Sequence, residues 1–79
     1  MITTDFFPLS SAKLGREYSV FKIKNSKKLR RLLDLGITNG AKITPLNRSP
    51  IGNLTAYKIR GTVIALRNED AENIIVYGS

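Results

Sequence analysis

Runs of apolar residues, some alternating with polar ones and some spaced as on a helix, divide this chain into short elements. "REYSVFKIK" (Arg16 to Lys24) is rich in β-branched and aromatic side chains and predicts a strand. Its apolar residues fall on both parities, Tyr18 and Val20 on one and Phe21 and Ile23 on the other. That suits a small curled barrel better than a flat sheet with one wet face. "GAKITPLN" predicts a second strand with Gly40 in the turn before it, and Pro45 suggests an edge position or a bulge. "RSPIGN" is a turn built from Pro50, Gly52 and Asn53. "LTAYKIR" and "TVIALR" predict a third and a fourth strand, and "IIVYG" a last one. Gly61, between the third and fourth, allows a tight turn or a bulge in one long strand. A two-residue hairpin would ask Arg60 for a positive φ, so the bulge is preferred.

Helical spacing shows once. In "KKLRRLLDLG", Leu29, Leu32 and Leu33 stand at i, i+3 and i+4 and so share a face, predicted to plug one end of the barrel. Asn25 or Ser26 is placed to cap this helix, Gly36 to end it in a left-handed conformation, and Ile37 to cover that end. "NEDAEN" (Asn68 to Asn73) predicts a capped helical turn with its acids near the favourable N-terminal end. Five short strands with one basic helix and one acidic turn predict a mainly β fold, a small Src-homology-3-like barrel. Strand order does not follow from the pattern.

Charge changes the picture of the first helix. Lys27, Lys28, Arg30 and Arg31 crowd its N-terminal part, where they oppose the helix dipole at a cost of some tenths of a kcal/mol each. Stability alone would not put them there. Net charge is +7, from thirteen Lys and Arg against six acids, which favours acidic partners: nucleic acid, anionic lipid or an acidic protein. Ile51 and Leu54 are large apolar side chains in a loop with no obvious core position, the usual mark of a protein contact. The candidate partner surface is therefore Lys27, Lys28, Arg30 and Arg31 with Pro50, Ile51, Gly52 and Leu54. An open strand edge near Pro45 could also accept a partner's strand.

Composition removes most chemistry. Seventy-nine residues make one small domain with a modest core and little room for an enclosed active site. There is no cysteine, which fits a reducing cytosol, and no histidine, so a hydrolase triad and a histidine base are excluded. The soft and borderline metal ligands are missing too, and Glu69, Asp70 and Glu72 alone would hold a hard cation weakly. Neither cofactor nor metal site is expected, and a binding module is expected rather than an enzyme. Apolar runs fall far short of the ~20 residues of a membrane span. "MITTDFFPLSS" lacks the basic and apolar regions of a signal peptide, which leaves a cytosolic domain as the expectation.

"RRLLDLGITNGAKI", "SPIGN" and "YKIRGTVIALRNEDAENIIV", in this order and spacing, resemble the FeoA family. The likeness runs from about Pro8 to Val76. Two positions depart from the family pattern, both in turns: Asn39, where proline is frequent, and Leu54, where a second proline is frequent. The resemblance implies a Src-homology-3-like barrel and a role in ferrous iron uptake. It further implies binding to the cytosolic side of the FeoB permease, near its GTPase domain, and modulation of transport. The poor ligand set adds the expectation that the protein serves iron transport without storing iron. An anionic membrane surface beside the permease would suit the basic helix, each cation adding ~1 kcal/mol there. The competing reading is a small basic β-barrel that binds RNA or other nucleic acid. Six aromatics are few for a stacking surface, which weakens it. Pairing of exposed edges into a homo-oligomer is a third class.

Overall fold

The computed structural model describes residues 5–24 and 29–78. Its elements are β1 (Phe6–Pro8), a 3-10 turn (Leu9–Ser11), β2 (Tyr18–Ile23), α1 (Leu29–Asp34), β3 (Lys42–Arg48), β4 (Leu54–Ile59), β5 (Thr62–Arg67), α2 (Asn68–Ala71) and β6 (Ile74–Gly78). The strands form one antiparallel sheet in the order β1-β6-β2-β3-β4-β5. The mainly β, Src-homology-3-like fold is as expected, with two corrections. Among the described residues there are six strands rather than five, because Phe6–Pro8 pairs with Tyr77, Val76 and Ile75 of β6. And the barrel is rolled but not closed, since β1 and β5 remain separate edges.

Two bulges roll the sheet. Register shifts between Val20 and Lys22 in β2 and between Pro45 and Asn47 in β3. Each extra residue bends its strand and tightens the local twist. The first bulge explains the mixed parity of "YSVFKI": Val20 is buried, while Phe21 is turned out to 44% exposure. The 3-10 turn after β1 packs on α2 after β5, so the two edges meet through these short turns rather than through a ladder. Leu9, Val20, Ile43, Tyr57, Ile59 and Leu66 fill the space so enclosed.

The Pro45 expectation holds as a bulge and fails as an edge. β3 lies between β2 and β4, and Pro45 is buried. Register explains why it is tolerated there. Pro45 faces Tyr57 in a pair that exchanges no hydrogen bonds, its missing N–H would point away from β4, and its carbonyl accepts from the Gly15 N–H at 2.7 Å. That contact, with Arg48 donating to the Ala12 carbonyl at 3.3 Å, fills the side where an open edge was expected.

The helix plugs less than its spacing suggests. Leu32 is buried, Leu29 is half-buried, and Leu33 is 44% exposed. Of the three leucines in the described part of α1, Leu29–Asp34, Leu32 alone is buried. The next slot goes to Ile37, brought back by the chain reversal at Gly36. There the Ile37 N–H donates to the Leu32 carbonyl at 3.1 Å and the Gly36 N–H to that of Leu33 at 3.0 Å, the paired bonds of a Schellman closure. The proposed caps Asn25 and Ser26 lie outside the described residues.

The joint between β4 and β5 corrects the bulge. Ile59 pairs with Thr62, leaving Arg60 (φ 51°) and Gly61 (φ 78°) as a two-residue hairpin turn. Two left-handed residues give the turn whose twist matches the strands it joins. The Arg60 guanidinium donates to Thr38 Oγ1 at 3.3 Å, a contact that helps offset its strained backbone. α2 forms as expected with Glu69 and Asp70 in its first turn, but Arg67 at the N-cap makes no side-chain capping bond.

Two outcomes follow for stability. Gly36→Ala places a Cβ at φ 93°, about 3.3 Å from Arg60 Cδ, and should lower the unfolding free energy by roughly 1–2 kcal/mol in urea. Burial raises the pKa of the Tyr57 phenol, outweighing the hydrogen bond to Thr55 and the charge of Arg48, which lower it. The unfolded phenol ionises first, near pH 10. This contribution is therefore full below about pH 10 and is lost as pH rises toward the folded ionisation. Urea unfolding between pH 9 and 11 should show the native chain losing stability relative to Tyr57→Phe only above about pH 10.

Candidate docking surface

The loop before β4 is held from several sides. The Ser49 N–H donates to the Leu54 carbonyl at 2.8 Å and the Gly52 N–H to the Ser49 carbonyl at 2.9 Å, which closes the turn. Ser49 Oγ donates to Asn53 Oδ1 at 3.1 Å and accepts from the Leu54 N–H at 3.3 Å. From outside, the Asn68 backbone N–H donates to the Asn53 carbonyl at 3.0 Å, and the Asn68 side-chain amide donates to the Gly52 carbonyl. Gly52 sits at φ 81°, a conformation that glycine adopts without strain.

This latch presents Ile51 to solvent at 86% exposure. An isoleucine held in water by an ordered turn serves no packing purpose, and its apolar surface is available to a partner. Beside it, Ile51, Gly52, Asn53, Arg67, Asn68 and Glu69 line an open cleft of about 370 Å³. Leu54, at 37% exposure, pairs with Arg67, whose guanidinium lies 3.9 Å from the Glu69 carboxylate. Pro50 is exposed at the crest.

The predicted surface is thereby divided. Pro50, Ile51, Gly52 and Leu54 come together at one end of β4. The C-terminal end of α1 is tied to the opposite end, where Gly36 approaches Arg60 and Thr38 bonds to it. Six residues of strand separate the two, roughly 20 Å at ~3.3 Å per residue. Arg30 and Arg31 are exposed on α1. Lys27 and Lys28 lie outside the described residues.

Sequence reasoning placed Asn53 in this turn but missed Arg67 and Asn68 as parts of this end. The signal was the glycine at position 52 with a helical turn following β5, yet only register brings the two loops together. It also missed a surface aromatic cluster. Phe6 lies 4.4 Å from Phe21 and 5.5 Å from Tyr77, ring centre to ring centre, where β1, β6 and β2 adjoin. Among the described residues no group of three or more carboxylates is placed to hold a metal ion. No helix among them is long and apolar enough to cross a membrane.

Comparison places this geometry among known proteins. The family model described as the FeoA domain matches residues 7–77. The solution structure of a FeoA protein from Chlorobium tepidum is similar at 32% identity and a TM-score of 0.82, over 90% of this chain and 69% of that one. The crystal structure of an iron uptake regulatory protein, FeoA, is similar at 27% identity and a TM-score of 0.80, over 92% and 96% of the two chains. A manganese-dependent transcriptional repressor shares the fold at 20% identity and a TM-score of 0.86, the chain spanning 45% of its length. The curated proteins give no sequence match.

Asn68→Ala tests the latch. Removing the side-chain amide leaves the Gly52 carbonyl without that donor, and stability should fall by ~1 kcal/mol. Amide hydrogen exchange at Gly52 and Leu54 should quicken while that of β2 and β6 stays unchanged.

Proposed function

The chain belongs to the FeoA family, and from that premise we propose that it is an accessory protein of ferrous iron uptake that docks on the cytosolic side of the FeoB-type iron permease and modulates its activity. The observation that carries this reading is Ile51, displayed on a loop latched from beneath by Asn68. Apolar anchors that become buried at the centre of an interface supply most of its energy. A rigid loop also loses little conformational entropy on binding. Leu54, Pro50 and Gly52 surround the anchor, and Arg67 supplies a charged rim.

Arg30 and Arg31, at the far end of β4, take a separate part. With Ile51 on the permease, the arginines of α1 are free to meet the anionic leaflet around it, an attraction of ~1 kcal/mol per cation that salt weakens. Binding on this account divides into a salt-insensitive apolar contact and a salt-sensitive electrostatic one. The work is binding rather than catalysis, carried out in the cytosol at the membrane's inner face. RNA binding gains no support, because the resemblance to a transcriptional repressor is one of fold alone.

Ile51→Ser tests the reading. The side chain is exposed, so unfolding free energy should change by less than about 0.5 kcal/mol. Affinity for the soluble cytosolic domain of the permease should fall about tenfold or more, equivalent to 1.4 kcal/mol. Unaltered affinity, measured by calorimetry, contradicts the assignment.

A further inference from the structure

The sheet has two edges, and they differ. β1 is three residues long, ends in Pro8, and follows Asp5. Short length, proline and a nearby charge are the usual devices that stop an edge from recruiting another chain. β5 is neither short nor interrupted by proline, and its charges stand only at the ends, Arg60 before it and Arg67 as its last residue. It runs six residues, pairs with β4 in unbroken register from Ile59↔Thr62 to Leu54↔Arg67, and contains no proline or bulge.

Register fixes which groups β5 leaves open. In a two-residue hairpin the closing pair, Ile59 and Thr62, exchanges both backbone hydrogen bonds. Thr62, Ile64 and Leu66 then point their N–H and C=O groups at β4, while Val63 and Ala65 point theirs outward. No described strand pairs with that side. Val63 is 59% exposed and Ala65 is exposed, so side chains and backbone are open together.

We propose that β5 is a strand-addition site, taking an extended segment of the partner that alternates acidic and apolar residues. Resting on the permease-docking reading above, this inference names how the partner is held. Side chains on one face of an added strand would lie beside Val63, Ala65 and Arg67, with Lys58 one strand further. Those two cations select acids. Side chains on the other face would meet Thr62 and the half-buried Ile64 at the rim of the core, which selects apolar residues. At the Arg67 end the added strand reaches the cleft beneath Ile51, so backbone pairing and apolar anchor form one continuous surface. A second copy of this chain fits poorly, because net charges of +7 would oppose one another.

The test is amide hydrogen exchange by NMR on the full chain, alone and with the soluble cytosolic domain of the permease. Addition of that domain should slow exchange at the Val63 and Ala65 amides at least tenfold. Ala65→Pro removes an edge donor and should weaken binding about tenfold. Arg67→Glu leaves the backbone donors in place and guards against a folding defect in the proline variant; it should weaken binding similarly, with an unchanged midpoint of thermal unfolding. Protection confined to Ser49–Leu54 overturns strand addition and leaves the docking reading standing. Absence of any binding overturns both. Protection of Val63 and Ala65 that grows with the concentration of this chain alone gives the edge to a second copy and overturns the proposal.

Discussion

The two-residue turn between β4 and β5 is the constraint on which the rest of this surface depends. It fixes Ile59 opposite Thr62, and the pleat then decides every side chain along both strands. Tyr57, Ile59 and Leu66 go to the core, while Lys58, Val63, Ala65 and Arg67 go to water. A one-residue slip would exchange the two sets. Arg60 at φ 51° and Gly61 at φ 78° hold the turn, and Arg60 reaches back to Thr38 beside the end of α1. At the other end the same register sets Leu54 beside Arg67, so that Asn68 falls next to the Gly52 carbonyl.

Much of the fold was legible in the chain. Alternation and β-branched residues found five strands, and Gly36 with Ile37 marked the helix end from local chemistry alone. What failed was non-local or conditional. β1 is three residues long, too short for a periodic pattern, and gains strand character only from β6 beside it. Arg60 broke the rule that non-glycine residues avoid positive φ, because strand twist and its bond to Thr38 outweigh a modest backbone strain. Pro45 pointed correctly to irregularity and wrongly to an edge, because the loop that covers it arrives from Ala12 to Gly15.

The candidate surface was legible residue by residue but not as an assembly. Ile51 and Leu54 stood out as apolar residues without a core, and Arg30 and Arg31 as cations opposing the helix dipole, although Arg31 lies in the last turn of α1, where the dipole favours a cation. Nothing in the linear order says that the length of β4 keeps them apart. Nor does it show Asn68 beneath Gly52, since that contact spans sixteen positions and exists only through the hairpin. The division leaves an exposed apolar loop at one end of the sheet and exposed arginines, whose charge salt can screen, at the other.

Site-directed photocrosslinking asks whether the latched loop is the face turned to the permease. The chain has no cysteine, so a single introduced one is a unique attachment point for a benzophenone probe. Probes at Pro50→Cys and Arg30→Cys, carried by otherwise native chains and mixed with the permease in anionic membranes, compare the two ends of the sheet. Docking through the loop should give protein crosslinks to the permease's cytosolic domain from position 50, with position 30 giving chiefly lipid adducts that diminish at high salt. Crosslinks to the permease from position 30, with none from position 50, would contradict it.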